Sequence, residues 1–213
     1  MIQDFGIDSL RFLLSAALLT AGLSLGATLI GGALGLFVAL NRVSRARIPR
    51  AIASGYIVTV QGIPVLVILF LVYFGVARFG LNVPPLWAAL LALSLFASGY
   101  LGDIWRGAIE SIPVQQWEAS DALAMTRAQQ FRHVILPQAV KISLPPTVGF
   151  LVQLIKNTSI VSIVGVIELT RGGQITSTAT FEPLLVFAVV GLIYFCICFP
   201  LSLWSRRMES VYD

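Results

Sequence analysis

Few side chains in this sequence are placed for covalent chemistry. The one histidine, His133, has no Cys, Asp or Glu cluster at metal-ligand spacing around it, so no metal site is expected and a surface or structural role fits it better than catalysis. The two lysines, Lys141 and Lys156, follow Val140 and Ile155. The G-x-x-x-x-G-K-[ST] phosphate loop is therefore absent, and the chain has no ATP site of that kind. Cys196 and Cys198 stand two apart and point to different faces of a helix, which argues against a disulfide and leaves them as packing residues. What the residue types can support is binding and docking. Lys156-Asn157-Thr158-Ser159 sets a cation and three hydrogen-bonding side chains in an otherwise apolar stretch, where a charge must face protein or a wet cavity. Glu118-Ala119-Ser120 lies in a charged segment with helix signals of its own, a pattern suited to docking on a partner.

These groups have to be positioned by a membrane protein. Of 213 residues 57% are hydrophobic and 11% charged, against roughly 25% charged in soluble domains. Five stretches are free of charge or nearly so: 12–40, 51–77, 79–102, 142–167 with Lys156 alone, and 183–205. Each reaches the ~20 residues a helical span needs. Barrel strands would be about 10 residues long with alternating polarity, and these continuous Leu-rich blocks are not. The sequence predicts an all-α bundle of five transmembrane helices forming a single domain over residues 1–213.

Ten of the fourteen basic residues fall on one side of that bundle: Arg42, Arg45, Arg47, Arg50, Arg106, Arg127, Arg132, Lys141, Arg206 and Arg207. The positive-inside rule makes that side cytoplasmic, with the N-terminus external and the C-terminus cytoplasmic. The net charge of +4 is then a consequence of topology, and no nucleic-acid partner is expected. Asp4 and Asp8 precede the first span without a basic n-region, so the N-terminus reads as uncleaved.

The segment 106–141 is long for a connection and reads as two short helices. Ser111 is a cap for the first, with Pro113 in its first turn and an end near Met125. Thr126 and Gln129 form a capping box for the second, whose residues Phe131, Val134 and Ile135 share one face and which Pro137 ends. The stripe and flanking charges suit a groove on a partner; a bracket lying on the lipid surface is the other reading.

Here the sequence resembles a known family. Glu118-Ala119-Ser120, Ala124 four residues on, and Val134-Ile135-Leu136-Pro137 after nine more match the E-A-A-x3-G-x9-I-x-L-P loop of permease subunits in binding-protein-dependent ABC importers. Gln61-Gly62-Ile63-Pro64 is similar to that family's R-G-T-P, and Tyr100 through Asp103 to Arg106-Gly107 to its Y-x-x-E-I-x-R-G. Leu144-Pro145-Pro146, Lys156-Asn157-Thr158-Ser159 and Glu168-Leu169-Thr170 resemble the polar amino acid subfamily.

The resemblance implies a type I ABC importer permease fold with cytoplasmic coupling helices in a bacterial inner membrane. It implies, as partners, two cytoplasmic ABC ATPases that hold the ATP and Mg, a second permease subunit (homodimer or paralogue), an extracytoplasmic solute-binding protein and a polar amino acid substrate. The chain itself would be no enzyme and would carry no cofactor. Glu118, Ala119, Ser120, Ala124, Phe131, Leu136 and Pro137 would belong to the ATPase-coupling loop. Ala124 replaces a glycine that permits a left-handed turn, which opens the bend to a different shape. Gln61 and Asp103, where the family has arginine and glutamate, have open roles.

Candidates for a translocation path are Lys156, Asn157, Thr158, Ser159, Gln61 and Glu168. The lysine cluster fits either a gate or a structural pair with a neighbouring subunit. Glu168 either meets a solute ammonium or caps a loop. Asp103 and Arg106, three apart, are expected to pair, and Pro145-Pro146 to break the start of the fourth span. Gly22-x3-Gly26 and Gly31-x3-Gly35 in the first span permit close approach to a second subunit or to a helix of the same chain. The polar segment 168–182 is expected on the outer side, where it either contacts the binding protein or forms a plain surface loop. Two other functions are open to such a chain. An ion-coupled transporter would use intramembrane carboxylates, and no Asp or Glu lies centrally in a span. A non-transporting scaffold would use the bracket only to dock.

Overall fold

The structure, a computed structural model, describes residues 4–80 and 82–212. In chain order its helices are α1 (Ile7–Arg42), α2 (Arg47–Gly62), α3 (Val65–Arg78), α4 (Pro85–Glu110), α5 (Val114–Ala122), α6 (Arg127–Val164), α7 (Leu169–Thr180) and α8 (Pro183–Tyr212). No strand occurs among the described residues. Helices α1, α4, α6 and α8 are each long and apolar enough to cross a bilayer.

The stretch 51–77, expected as one span, is broken. Helices α2 and α3 meet at 104°. The break follows from Pro64, whose ring disfavours helical geometry at the residue before it and leaves Ile63 extended at φ −108°, ψ 129°. At 1.5 Å per residue α2 is about 24 Å long, short of the ~30 Å hydrocarbon core, so neither half spans alone. Together they make the fifth candidate span.

The main core lies where α1, α2, α3 and α6 surround α4, with Leu23, Ala27, Val60, Leu93, Phe96 and Leu154 among its buried residues. Small residues set the closest approach. A Cβ on Gly31 would stand 2.7 Å from both the Ala97 Cβ and the Ser94 carbonyl, and one on Gly35 3.0 Å from the Ser98 carbonyl. Those two glycines therefore serve packing within the chain, whereas Gly22 has open space around it. Polar ties add to the contact: the Trp105 indole donates to Thr147 at 3.0 Å, joining α4 to α6.

Two expected breaks do not occur. Helix α6 runs continuously from the bracket into the bundle, through Pro137, Pro145 and Pro146. A single π-helical turn, Phe131–Ile135, precedes Pro137 and widens the helix where the ring needs room. Beside the Pro145-Pro146 pair, the Ser205 hydroxyl of α8 donates to the Pro145 carbonyl at 2.9 Å. The carbonyls that lose an N–H partner to these two rings are those of Lys141 and Ile142, so this bond ties α8 to α6 beside the proline pair and does not replace the missing donors. Ser111 does not cap α5 either. Its hydroxyl donates back to the Ala108 carbonyl at 2.9 Å and finishes α4, while α5 begins after Pro113 without a side-chain cap.

Candidate functional site: the bracket and the polar nodes

The bracket joins α4 to α6 through α5 and a three-residue bend. The end of α5 is a Schellman motif: Met125 N–H donates to the Ser120 carbonyl at 3.2 Å and Ala124 N–H to the Asp121 carbonyl at 2.9 Å. Ala124 sits at the left-handed position with φ +55°. The alanine adopts the left-handed conformation that a glycine readily supplies. Its methyl group carries strain of about 1 kcal/mol there. Ala124→Gly is therefore expected to steady the bend by about 0.5 to 1 kcal/mol, slowing amide exchange across 120–126 by about two- to five-fold.

Next to the bend, Thr126 and Gln129 form the expected capping box. Gln130, fully buried, is the hub. Its amide nitrogen donates to the Asp121 carboxylate and, at 3.1 Å, to the Met125 carbonyl, while its amide oxygen accepts from Arg127 at 3.1 Å. Arg127 also stands 3.5 Å from Asp121 and lies over the Trp117 ring at 6.0 Å. Nothing in the sequence marks Gln130, because a glutamine on a charged helix reads as a surface residue.

The apolar stripe of the bracket does not face outward. Phe131, Val134 and Ile135 pack with Trp117 against Ala108, Ile109 and Ile112 at the end of α4. The stripe holds the bracket to its own bundle, and the surface left for a partner is α5 itself. Glu118 and Ala119 are exposed there, flanked by Val114 and Leu123, which is 76% exposed. Ser120 is buried and donates to the Trp117 carbonyl at 2.8 Å. Leu136 is half-buried and Pro137 exposed.

The remaining candidate residues form three separate nodes. Gln61, one residue before the end of α2, donates to Asp103 at 3.3 Å. Asp103 also accepts from Arg106 at 2.9 Å, and Arg106 reaches on to Glu110, a second partner that the three-residue spacing did not suggest. Lys156 is exposed and makes no ion pair with an Asp or Glu among the described residues. After Asn157 the helix tightens into a 3-10 segment, Thr158–Val164. Thr158 and Ser159 return their hydroxyls to the Ile155 and Lys156 carbonyls at 2.7 and 2.8 Å.

Glu168 is fully buried at the start of α7. Its carboxylate accepts from Thr170 N–H at 2.9 Å, Arg171 N–H at 2.8 Å and the Tyr194 hydroxyl at 3.0 Å. Thr20 of α1 accepts from Leu169 N–H at 3.1 Å, so most of the orphan donors of α7 are met by side chains. A negative cap at a helix N-terminus is favourable, and this one is spent on structure. Glu168→Ala is expected to lower stability by about 2 kcal/mol, and Glu168→Gln, which keeps one acceptor, by about half that; the thermal midpoint of the solubilised protein reads both. The polar segment 168–182 is thus a helix wedged between α1 and α8 through Gly172 and Gly173, with Thr178 and Ala179 on its exposed side.

Span-length apolar helices, a sharply bent α2–α3 pair and a bracket packed on the end of α4 define a multi-pass membrane protein. Residues 31–210 match the family described as the binding-protein-dependent transport system inner membrane component, and the chain belongs to that family. It is 34% identical to the probable amino-acid ABC transporter permease protein YckA of Bacillus subtilis, over 97% of this chain and 91% of that one. With the nopaline transport system permease protein NocM of Agrobacterium fabrum it shares 36% identity over 92% and 86% of the two chains. The crystal structure of an amino acid ABC transporter with histidines has a chain that superposes with a TM-score of 0.89 at 34% identity, covering 97% of this chain and 100% of that one. The chain has the type I importer permease fold.

Proposed function

We propose that this permease subunit imports polar amino acids, using ATP hydrolysed on separate cytoplasmic ATPase subunits that hold the ATP and Mg. The observation that carries the reading is α5: an exposed helix bearing Glu118, tied by Gln130, Asp121 and Arg127 to a helix that continues without interruption into the bundle. Such a lever transmits a push at its tip to α6 as a rigid body. Glu118, Ala119 and Ser120 belong to the docking helix, Ala124 to its bend, and Phe131, Leu136 and Pro137 to the first turns of α6, which carry the motion onward.

The other partners are a second permease subunit, a homodimer mate or a paralogue, and an extracytoplasmic binding protein that delivers the solute. The distribution of arginines supports a multi-pass inner-membrane protein with the bracket and C-terminus in the cytoplasm and the N-terminus outside. The path runs past Lys156 and Asn157, whose cation and amide are left open to a solute carboxylate, and past Gln61 at the broken span. Thr158, Ser159 and Glu168 shape its walls through their backbone bonds.

The test is uptake by proteoliposomes holding the complete complex. Entry of labelled polar amino acids should require both internal ATP and the loaded binding protein. Uptake driven by an ion gradient without either would overturn the reading.

A further inference from the structure

The turn between α1 and α2 carries Arg42, Arg45, Arg47 and Arg50, with no acidic residue anywhere in 41–52. Arg50 folds back to donate to the Ser44 carbonyl at 2.9 Å. Arg47 and Arg50 also occupy the first turn of α2, where the helix dipole opposes cations. Glu110 lines the hollow shared with Arg42 and Arg50, and it is already held by Arg106. Among the described residues none of the four arginines forms an ion pair with a carboxylate.

Beside this turn an apolar groove of about 550 Å³ opens between α1 and α2, lined by Leu34, Phe37, Val38, Ile48, Ile52 and Leu95. Its outer wall is open: Phe37 is 69% and Ile52 68% exposed. Asn41 and Pro49, next in sequence to Arg42 and Arg50, also line it. From Leu34 to Asn41 the groove follows two turns of α1, or about 10 Å.

An apolar groove whose lining reaches Asn41 and Ile48, next in sequence to Arg42 and to the exposed Arg47, has the polarity of a phospholipid lying against the helices. We propose that this groove is a site for an anionic phospholipid, its phosphate at Arg45 and Arg47 and one acyl chain between α1 and α2. Basic rims at the membrane surface attract anionic headgroups, and a fitted chain turns that attraction into residence at one place. The site is independent of the transport reading, since it needs only that the turn lie at a bilayer surface.

Native mass spectrometry of the purified full chain, titrated with phosphatidylglycerol, phosphatidylcholine or inorganic phosphate, tests the proposal. Phosphatidylglycerol should bind at one per chain with at least ten-fold preference over phosphatidylcholine. R45Q/R47Q should reduce the preference below about three-fold, and Leu34→Trp, which fills the groove, should weaken binding of both lipids. Phe37→Trp serves the same purpose if Leu34→Trp elutes abnormally. Equal binding of the two lipids overturns the proposal, as does a preference that survives R45Q/R47Q. Displacement by inorganic phosphate at matched concentration would reveal a free-anion site, and groove-filling variants that bind lipid normally would leave the groove without its occupant; either overturns it. So does a groove closed to lipid by a second copy of the chain.

Discussion

Gly31→Leu is expected to lower the stability of the solubilised protein by about 3 kcal/mol or more, and even Gly31→Ala should destabilise it by at least 1 kcal/mol. The reason is the backbone. A Cβ at this position would lie 2.7 Å from the Ser94 carbonyl, which belongs to the α4 helix and cannot rotate away as a side-chain tip can. Helices α1 and α4 would have to separate, loosening the buried row of Ala27, Ala97 and Leu101 between them. Alanine ordinarily favours a helix over glycine by about 1 kcal/mol, so the sign of the Gly31→Ala effect tests the packing directly. Gly22→Ala is the control: nothing lies within 4 Å of the added methyl, and a gain of about 0.5 to 1 kcal/mol is expected there. Thermal midpoints and the fraction eluting as one species measure all three variants. A Gly31→Ala protein as stable as the parent would show that α1 and α4 are not this close.

The second large effect is expected at Gln130. Leucine fills a similar volume but leaves the Asp121 carboxylate and the Met125 carbonyl without their donor and Arg127 without its acceptor. Asp121 and Arg127 are about half exposed and can turn to water, so the loss is that of the bonds themselves, two of them to charged groups, about 1 to 3 kcal/mol in all. That cost falls on the bracket, because the bonds cross the bend between α5 and α6. Amide exchange across 123–130 should accelerate by about ten-fold or more, since each factor of ten corresponds to ~1.4 kcal/mol. The spans should remain as protected as before. A bracket loosened in this way would move at α5 without moving α6, so Gln130→Leu is expected to cut solute-stimulated ATP turnover several-fold while assembly persists. Unchanged exchange would assign the rigidity elsewhere, to the packing of Phe131 and Ile135 against α4.

The sequence made the helical bundle legible because charge-free runs of span length have one solution in a bilayer. The bracket was legible too, through its capping box and the spacing of Glu118, Ala124 and Leu136-Pro137. Proline was read less well. Pro64 breaks a span that charge counting treats as uniform, whereas Pro137 and Pro145-Pro146 do not end a helix: a π turn precedes the first, and α8 holds the segment of the other two through Ser205. The difference lies in tertiary partners that no local rule includes. The stripe of Phe131, Val134 and Ile135 was correctly placed on one face, but periodicity does not say whether such a face meets a partner or the chain's own α4. Ala124 shows the converse. A residue that disfavours the left-handed turn takes it anyway, because the Schellman bonds and the Gln130 hub over-determine the bend. Glu168, a candidate for solute contact, is drawn instead into capping α7.

The central claim, that α5 carries the ATPase's motion into the bundle, is tested most directly at Glu118, which is exposed and forms no ion pair among the described residues. ATP hydrolysis by the copurified complex should be measured with and without a loaded binding protein, for the parent and for Glu118→Lys. The account predicts an intact complex whose solute-stimulated turnover falls about ten-fold or more, the loss of ~1.4 kcal/mol or more of coupling. Undiminished stimulation in an intact Glu118→Lys complex would contradict it.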